Sequence, residues 1–342
     1  MLFRSLLRWT APLLIAATSL HASAQTTLRI GFQKSASLLT LQKSSGSLEK
    51  KLAPLGVSVK WVEFPAGPQL LEGLNVGAVD VGFVGEAPPI FAQAAGAQFV
   101  YIGFDPAAPE AEAIVVPKDS AIKSVADLKG KKIALNKGSN VHYLIVKALE
   151  KQGLKFSDVQ AVYLPPADAR AAFERGAVDA WVIWDPFLAA VEKQSGARLL
   201  ADGRGLVNNY AYYLAERGYA EKQPQVIQAL FDDSQAQAAY VKANTKAAAA
   251  VIAPLQGLEP EVVEKSLTRY QFGVKPLTPA VAAMTAPACM PALAWFWWLS
   301  IRSSSAPADR PMPVIISVSG PAMRGRSAWM SARRPSSESN SR

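Results

Sequence analysis

The 342-residue chain has one cysteine, Cys289, and two histidines, His21 and His142. A single cysteine closes no intrachain disulfide, and with so few histidines a His/Cys zinc site is excluded. After the first 25 residues no apolar run reaches membrane-spanning length, which takes about 20 residues. Positive charge is scarcer than its total suggests. Of the net +9, the first 24 residues carry +2 and residues 287–342 carry +5, which leaves +2 for the body. That body has no basic stripe of the kind that binds nucleic acid.

What the chain does have is an internal repeat. Gly77-Ala78-Val79-Asp80 recurs as Gly176-Ala177-Val178-Asp179. Each copy follows a Pro-rich turn (Pro65-Ala66-Gly67-Pro68, Pro165-Pro166-Ala167-Asp168) and a helix-like run. Each precedes an apolar strand that ends on an acid with a proline close behind, Glu86 before Pro88 and Asp185 before Pro186. Two similar strand-helix units imply two similar lobes. In open α/β sheets, ligands sit at the carboxyl ends of the strands, so two facing lobes make a binding cleft.

The two ends differ from the body. Arg4 and Arg8, the apolar stretch 9–20 and Ala22-Ser23-Ala24 have the form of a cleavable secretory signal, with cleavage after Ala24. The expected product is exported, in a bacterium to the periplasm. Residues 287–342 contain no lysine, seven arginines and four of the eight tryptophans. Such a composition shift reads as a frameshifted or disordered extension.

Between the ends, strands are expected at 28–32, 57–64, 79–84, 99–104, 111–116, 132–135, 159–163, 180–183, 197–200 and 210–214. Helices are expected at 38–52, from Pro68 to Asn75, and at 89–95, 140–152, 169–175, 225–253 and 259–270. Strand-helix alternation of this kind indicates α/β architecture with mainly parallel sheets. Lobe 1 takes residues 25–110 and 210–286, lobe 2 residues 111–209, and the chain crosses between them twice.

Helix N-termini offer unpaired N–H groups and a positive dipole end, and so hold anions without a cationic side chain. Pro65-Ala66-Gly67 leads into one such helix, with Gln69 in its first turn. Gly138-Ser139-Asn140 leads into another, with the Ser139 hydroxyl as an added donor. Both segments also suit ordinary loop and cap roles. Gln33 follows the first strand and could donate an amide hydrogen. Gly85 and Glu86 leave the third expected strand. Glu86 and Asp185 either cap helices or hold a ligand ammonium. Trp184 could wall an alkyl chain, and strand alternation sets Trp181 on the opposite face. His142 lies near the second anion turn. A Ser139–His142–Asp185 triad lacks the Gly-x-Ser-x-Gly elbow, which disfavours a cleft hydrolase.

Trp61-Val62-Glu63-Phe64-Pro65-Ala66-Gly67-Pro68-Gln69, Leu74-Asn75-Val76-Gly77, residues 88–96, residues 167–173, Val178-Asp179-Ala180-Trp181 and Trp184-Asp185-Pro186 form a further set of motifs. Through them, over about residues 27–285, the chain resembles the aliphatic sulfonate-binding proteins of ABC importers. The resemblance implies a two-lobe periplasmic binding fold of type II, α/β in class, closing on a small organic sulfonate. It also implies delivery to an inner-membrane permease by a monomer, with no cofactor and no bond broken. Taurine, nitrate and thiamine precursors are ligands of the broader group. Gly85-Glu86-Ala87 departs from the Gly-Asp-Ile more usual there, and the tail departs from the family's ending. The effector half of a transcription regulator can share this fold, but the signal-like start and the lack of an N-terminal helix-turn-helix count against it.

Overall fold

The computed structural model describes residues 26–277 and 316–317. The expected signal peptide lies outside them, and so does the tail apart from Ile316 and Ser317.

The chain begins with β1 (Thr26–Phe32), α1 (Ser37–Ser45), α2 (Ser47–Leu52), β2 (Val57–Glu63), α3 (Gly67–Asn75), β3 (Val81–Gly85), α4 (Ala87–Ala94) and β4 (Val100–Asp105). It then builds a second unit from β5 (Glu112–Val116), β6 (Lys132–Leu135), α5 (Asn140–Lys151), β7 (Gln160–Tyr163), α6 (Pro166–Glu174), β8 (Ala180–Trp184), α7 (Phe187–Gln194) and β9 (Arg198–Asp202). It returns as β10 (Ala211–Ala215), followed by α8 (Arg217–Lys222), α9 (Pro224–Ala243), α10 (Thr245–Gln256) and α11 (Pro260–Leu267). A two-residue strand, β11 (Ile316–Ser317), pairs antiparallel with β4.

Two sheets result. The first runs β11-β4-β10-β3-β1-β2 and the second β7-β6-β8-β5-β9. With β11 set aside, they have the same plan. In each, one strand runs against its neighbours: β10 is antiparallel to β3 and β4, and β5 is antiparallel to β8 and β9. These are the two strands that follow a crossing between lobes. The sheets are thus mixed, and the reversed strand has a topological cause. The chain enters each lobe from the cleft side, against the direction of strands that run toward it.

The repeat explains the shared plan at residue level. Gly77 and Gly176 both adopt φ of 70°, in the left-handed region that ends a helix at low cost for glycine. The amides of Ala78 and Ala177 then close back onto the carbonyls of Gly73 and Ala172 at 2.8 and 2.9 Å. Asp80 and Asp179 receive the backbone N–H of Arg29 and Lys132, each at 2.7 Å, and return their own N–H to the same residue's carbonyl. Each aspartate therefore fastens the neighbouring strand, at the middle of β1 and at the first residue of β6.

Apolar clusters fill each lobe. Leu28, Ile30, Val81 and Ile102 are buried in the first, and Ile133, Leu135, Trp181 and Val182 in the second. Full burial contributes about 1.5–3 kcal/mol for each large aliphatic side chain. Trp181 packs on Phe173 at a ring distance of 6.0 Å, on the core side of its strand. Two helices expected as continuous are broken. Residues 38–52 split at Gly46, whose φ of 62° leaves the helical region. Residues 225–253 split at Asn244, whose φ of −139° ends α9 before α10 begins.

Candidate functional site

The two crossing segments run side by side. Ala108 donates its N–H to Asn208 O at 3.1 Å, and Gly203 donates to Pro109 O at 2.9 Å. A Cβ on Gly203 would sit 2.6 Å from that oxygen, so the close approach requires glycine. Asn209, with φ of 53°, is the hub. Its N–H donates to Glu86 Oε1 at 3.0 Å, its Nδ2 to Ala108 O at 2.8 Å, and its Oδ1 accepts from Asn140 Nδ2 at 2.7 Å. Asparagine tolerates this left-handed conformation better than most residues.

A cleft of about 790 Å³, the space open to solvent included, lies between the lobes in front of this hinge. Three helices start on its wall: α1 at Ser37, α3 at Gly67 and α5 at Asn140. First-turn amides have no acceptor within their own helix. Three positive helix ends facing one cleft, two from the first lobe and one from the second, therefore suit an anion with several acceptor oxygens. No lysine or arginine is among the described residues that line the cleft. Phe83, Trp184, Tyr213, Tyr270 and Phe272 supply apolar wall.

Of the positions singled out from sequence, Gln33, Gly67, Gly85, Ser139, Asn140 and Trp184 line the cleft. Gln33 Nε2 donates one hydrogen to Phe83 O at 3.1 Å, and the amide carries a second. Gly67 is pressed against Pro88, where a Cβ would meet Cγ at 2.9 Å. Gly85 faces the Asn140 side chain, which a Cβ would strike at 2.3 Å. Asn140 Oδ1 accepts the Ala87 N–H at 3.0 Å, so the first residue of α5 caps α4 across the interlobe gap. The Ser139 hydroxyl closes its own turn by donating to Asn136 O at 2.7 Å, so that hydrogen is not free for a ligand.

The other six positions have different tasks. Ala66 is buried against the apolar core of the second lobe. Gln69 lies within α3 and lines none of the cleft. The Gly138 N–H, expected to meet an anion, is taken by His142 Nδ1 at 3.2 Å. His142 stacks on Phe91 of the first lobe, with ring centres 6.2 Å apart, and burial lowers its pKa with help from the Lys137 charge. It belongs to the interlobe rim.

Glu86 and Asp185 are not placed to meet a ligand ammonium. Glu86 is buried at the hinge, accepting the N–H groups of Asn209 and Tyr210 at 3.0 and 3.3 Å. Burial pushes its carboxyl up to about 7 against the pull of those hydrogen bonds. Asp185 is fully buried. It accepts the Ala189 N–H at 2.9 Å in the first turn of α7 and forms an ion pair with Arg269 at 3.1 Å. Its carboxyl is pushed up to about 6 by burial, opposed chiefly by the Arg269 charge. Arg269 also contacts Glu192 at 2.6 Å and ties the segment after α11 to α7 of the second lobe.

Comparison with known proteins follows this geometry. Residues 53–248 match the model of a family described as NMT1/THI5 like. The chain belongs to the NMT1/THI5-like family. It is 48% identical over 263 residues to a protein of Escherichia coli strain K12 named as an aliphatic sulfonates-binding protein, covering 77% of this chain and 82% of that one. The alkanesulfonate-binding protein SsuA of Xanthomonas axonopodis pv. citri, solved bound to MOPS, superposes with a TM-score of 0.72 at 43% identity. The match covers 76% of this chain and 90% of that chain. The periplasmic aliphatic sulphonate binding protein SsuA of Escherichia coli gives a TM-score of 0.70 at 46% identity over 77% and 85%. The two-lobe α/β fold expected from sequence is the fold of these NMT1/THI5-like proteins.

Sequence reasoning missed several cleft residues. Ser35, Ala36 and Ser37 form the start of α1, one residue before the helix expected at Leu38. The signal was present in a Ser-Ala-Ser turn directly after a strand. Asn209, Tyr270 and Phe272 had no local signal, because the chain brings them to the cleft only through its second crossing and its C-terminal segment, whereas Asp105 ends β4, where the strand-end rule applied and it was passed over.

Proposed function

We propose that this chain is the substrate-binding component of an ABC importer that captures aliphatic sulfonates in the periplasm and passes them to a membrane permease. One observation carries the reading: three helix N-termini face an interlobe cleft that, among the described residues, no lysine or arginine lines. A sulfonate is a permanent anion with three acceptor oxygens, and it needs no proton or metal to be held there. The aromatic wall takes the alkyl chain by burial of apolar surface. The identity to proteins named for sulfonate binding supports the same reading. Ser139 and His142 do not form a nucleophile–base pair, since the Ser139 hydroxyl donates to Asn136 O and His142 Nδ1 accepts the Gly138 N–H. Among the described residues no group of three or more His, Cys, Asp or Glu could hold a metal. Ligand capture proceeds by lobe closure about residues 105–111 and 203–210, the hinge pair.

Thermal unfolding of the purified protein with methane- to octanesulfonate, taurine, nitrate and sulfate tests this proposal. A ligand at 100 times its Kd stabilises by about 2.7 kcal/mol, so alkanesulfonates should raise Tm by several degrees. A rise with sulfate or nitrate alone would overturn the assignment. A rise with taurine alone would move it to the taurine binders.

A further inference from the structure

Residues 136–142 of the second lobe press on the first lobe. Asn140 accepts the Ala87 N–H at 3.0 Å and donates to Asn209 at the hinge at 2.7 Å. A Cβ on Gly138 would lie 3.8 Å from Pro68 Cγ and 4.0 Å from Phe91. One turn along α4 from Ala87, the Phe91 ring faces the His142 ring, with centres 6.2 Å apart and planes 12° from parallel. Phe156 and Tyr163 of the second lobe flank the same imidazole at 5.0 and 5.8 Å. Neither Phe91 nor His142 lines the cleft, and Phe91 is half exposed. Ligand contact and core packing therefore leave this stacked pair unexplained.

We propose that Phe91 and His142 form a clasp between the lobes, which holds the cleft shut while the imidazole is neutral and lets go when the imidazole takes up a proton. Its effect on ligand capture rests on the sulfonate reading above, whereas the clasp itself does not.

Three observations converge on it. First, the two rings belong to different lobes, so a movement that parts the lobes separates them. A facing aromatic pair shifts such an equilibrium roughly two- to tenfold. Second, the contact depends on charge state. His142 Nδ1 accepts the Gly138 N–H at 3.2 Å, which an imidazole does only where that nitrogen carries no proton. A proton there would set N–H against N–H and break the bond that orients the ring. Third, the surroundings disfavour the charged form. The turn already carries Lys137, whose Nζ lies over the Tyr163 ring at 5.5 Å. The α4 helix has no ionisable side chain, and β7 offers the Tyr163 phenol. On residues 156–158, Asp158 accepts the Lys155 N–H at 2.8 Å, and on α5 Lys147 pairs with Glu150 at 2.6 Å. Ring faces attract an imidazolium, yet burial and the Lys137 charge hold His142 below its ordinary 6.5. The clasped imidazole thus binds a proton less readily than a free one. The clasp is complete above about pH 6.5 and weakens as pH falls below it.

Two measurements test the clasp. His142 is the one histidine after residue 21, so its NMR titration can be followed without ligand. Phe91→Ala should raise the midpoint toward the ordinary value, and Phe91→Tyr should leave it in place. A midpoint that Phe91→Ala does not move overturns the clasp. Isothermal titration with butanesulfonate reads the effect on capture. At about pH 8 the native protein should bind roughly two- to tenfold more tightly than Phe91→Ala, and Phe91→Tyr should bind like the native protein. At about pH 5.5 that advantage should shrink. In a His142→Phe background, which keeps a ring pair with no proton site, removing Phe91 should cost the same at both pH values. Equal binding by native protein and Phe91→Ala at pH 8 overturns the inference, and so does a native advantage that acid leaves unchanged. If butanesulfonate binds none of these proteins, the sulfonate reading fails and the histidine titration alone decides the clasp.

Discussion

The two lobes are built alike and used differently. Their sheets share one strand order, and their repeated glycines share one backbone angle. Their repeated aspartates each fasten the backbone of a neighbouring strand. Divergence begins where each strand meets the cleft. After β3, Glu86 is held by two backbone amides of the hinge. After β8, Asp185 is held by a guanidinium from beyond α11. After β2 the helix start lines the cleft at Gly67, whereas after β7 the helix start at Pro166 does not. Internal symmetry therefore governs the scaffold, and the loops at the strand ends govern recognition. The equivalent places of the two acids in the repeat made them look like a matched pair, yet each serves the joint between lobes in its own way.

That contrast can be broken at three levels. The largest effect is expected from Arg269→Ala, which leaves Asp185 buried without its counter-charge. Urea unfolding at pH 7.5 should show a loss of about 3–5 kcal/mol. A loss under about 1 kcal/mol would mean that Asp185 is solvated or neutral, and that the second lobe needs no charge from outside it. The next effect is pH dependence. Glu86 and Asp105 titrate near 7 in the folded protein, above their ordinary 4.5 and 3.8. The folded state then keeps protons that the unfolded chain has released, so stability falls as pH rises from about 4 to about 7. Without ligand, Asp105→Asn should flatten that fall and raise the unfolding free energy at pH 8 more than at pH 5, by an amount on the order of a few kcal/mol. An unchanged slope would remove Asp105 as its source. The smallest effect separates the repeated aspartates. Asp80 also engages the Arg29 guanidinium and is nearly buried, whereas Asp179 is exposed and holds one amide. Asp80→Ala should cost about 1–3 kcal/mol, and Asp179→Ala less than about 1 kcal/mol. Equal costs would show that the symmetry extends to energetics.

The scaffold was largely legible because its signals are local. Apolar runs, helix-ending glycines and the repeated aspartates report on neighbours a few residues away, and they placed ten strands to within a residue or two. The split at Gly46 was readable too, since glycine inside a helical pattern marks a possible stop. The cleft was only half legible. Gln33, Gly67 and Asn140 sit at strand-to-helix turns, where the rule about strand ends applies. Arg269 and Asn209 owe their positions to contacts more than 80 residues away, Arg269 with Asp185 and Asn209 with Glu86. No periodicity or motif reports on such a contact. Gly138 and Ser139 show the opposite failure. Their sequence suits an anion turn, and the fold uses those donors to close the turn on itself.

β10 lies between β3 and β4, hydrogen-bonded to both. During vectorial synthesis or export, the first sheet's four earlier strands emerge more than a hundred residues before the strand that joins them. Until residue 215 is available, two adhesive strand edges remain uncapped at the centre of that unit, whereas β5, the matching strand of the second unit, emerges ahead of its partners. The N-terminal half is therefore the stretch that a holding chaperone must guard longest, and it cannot be excised as an autonomous module.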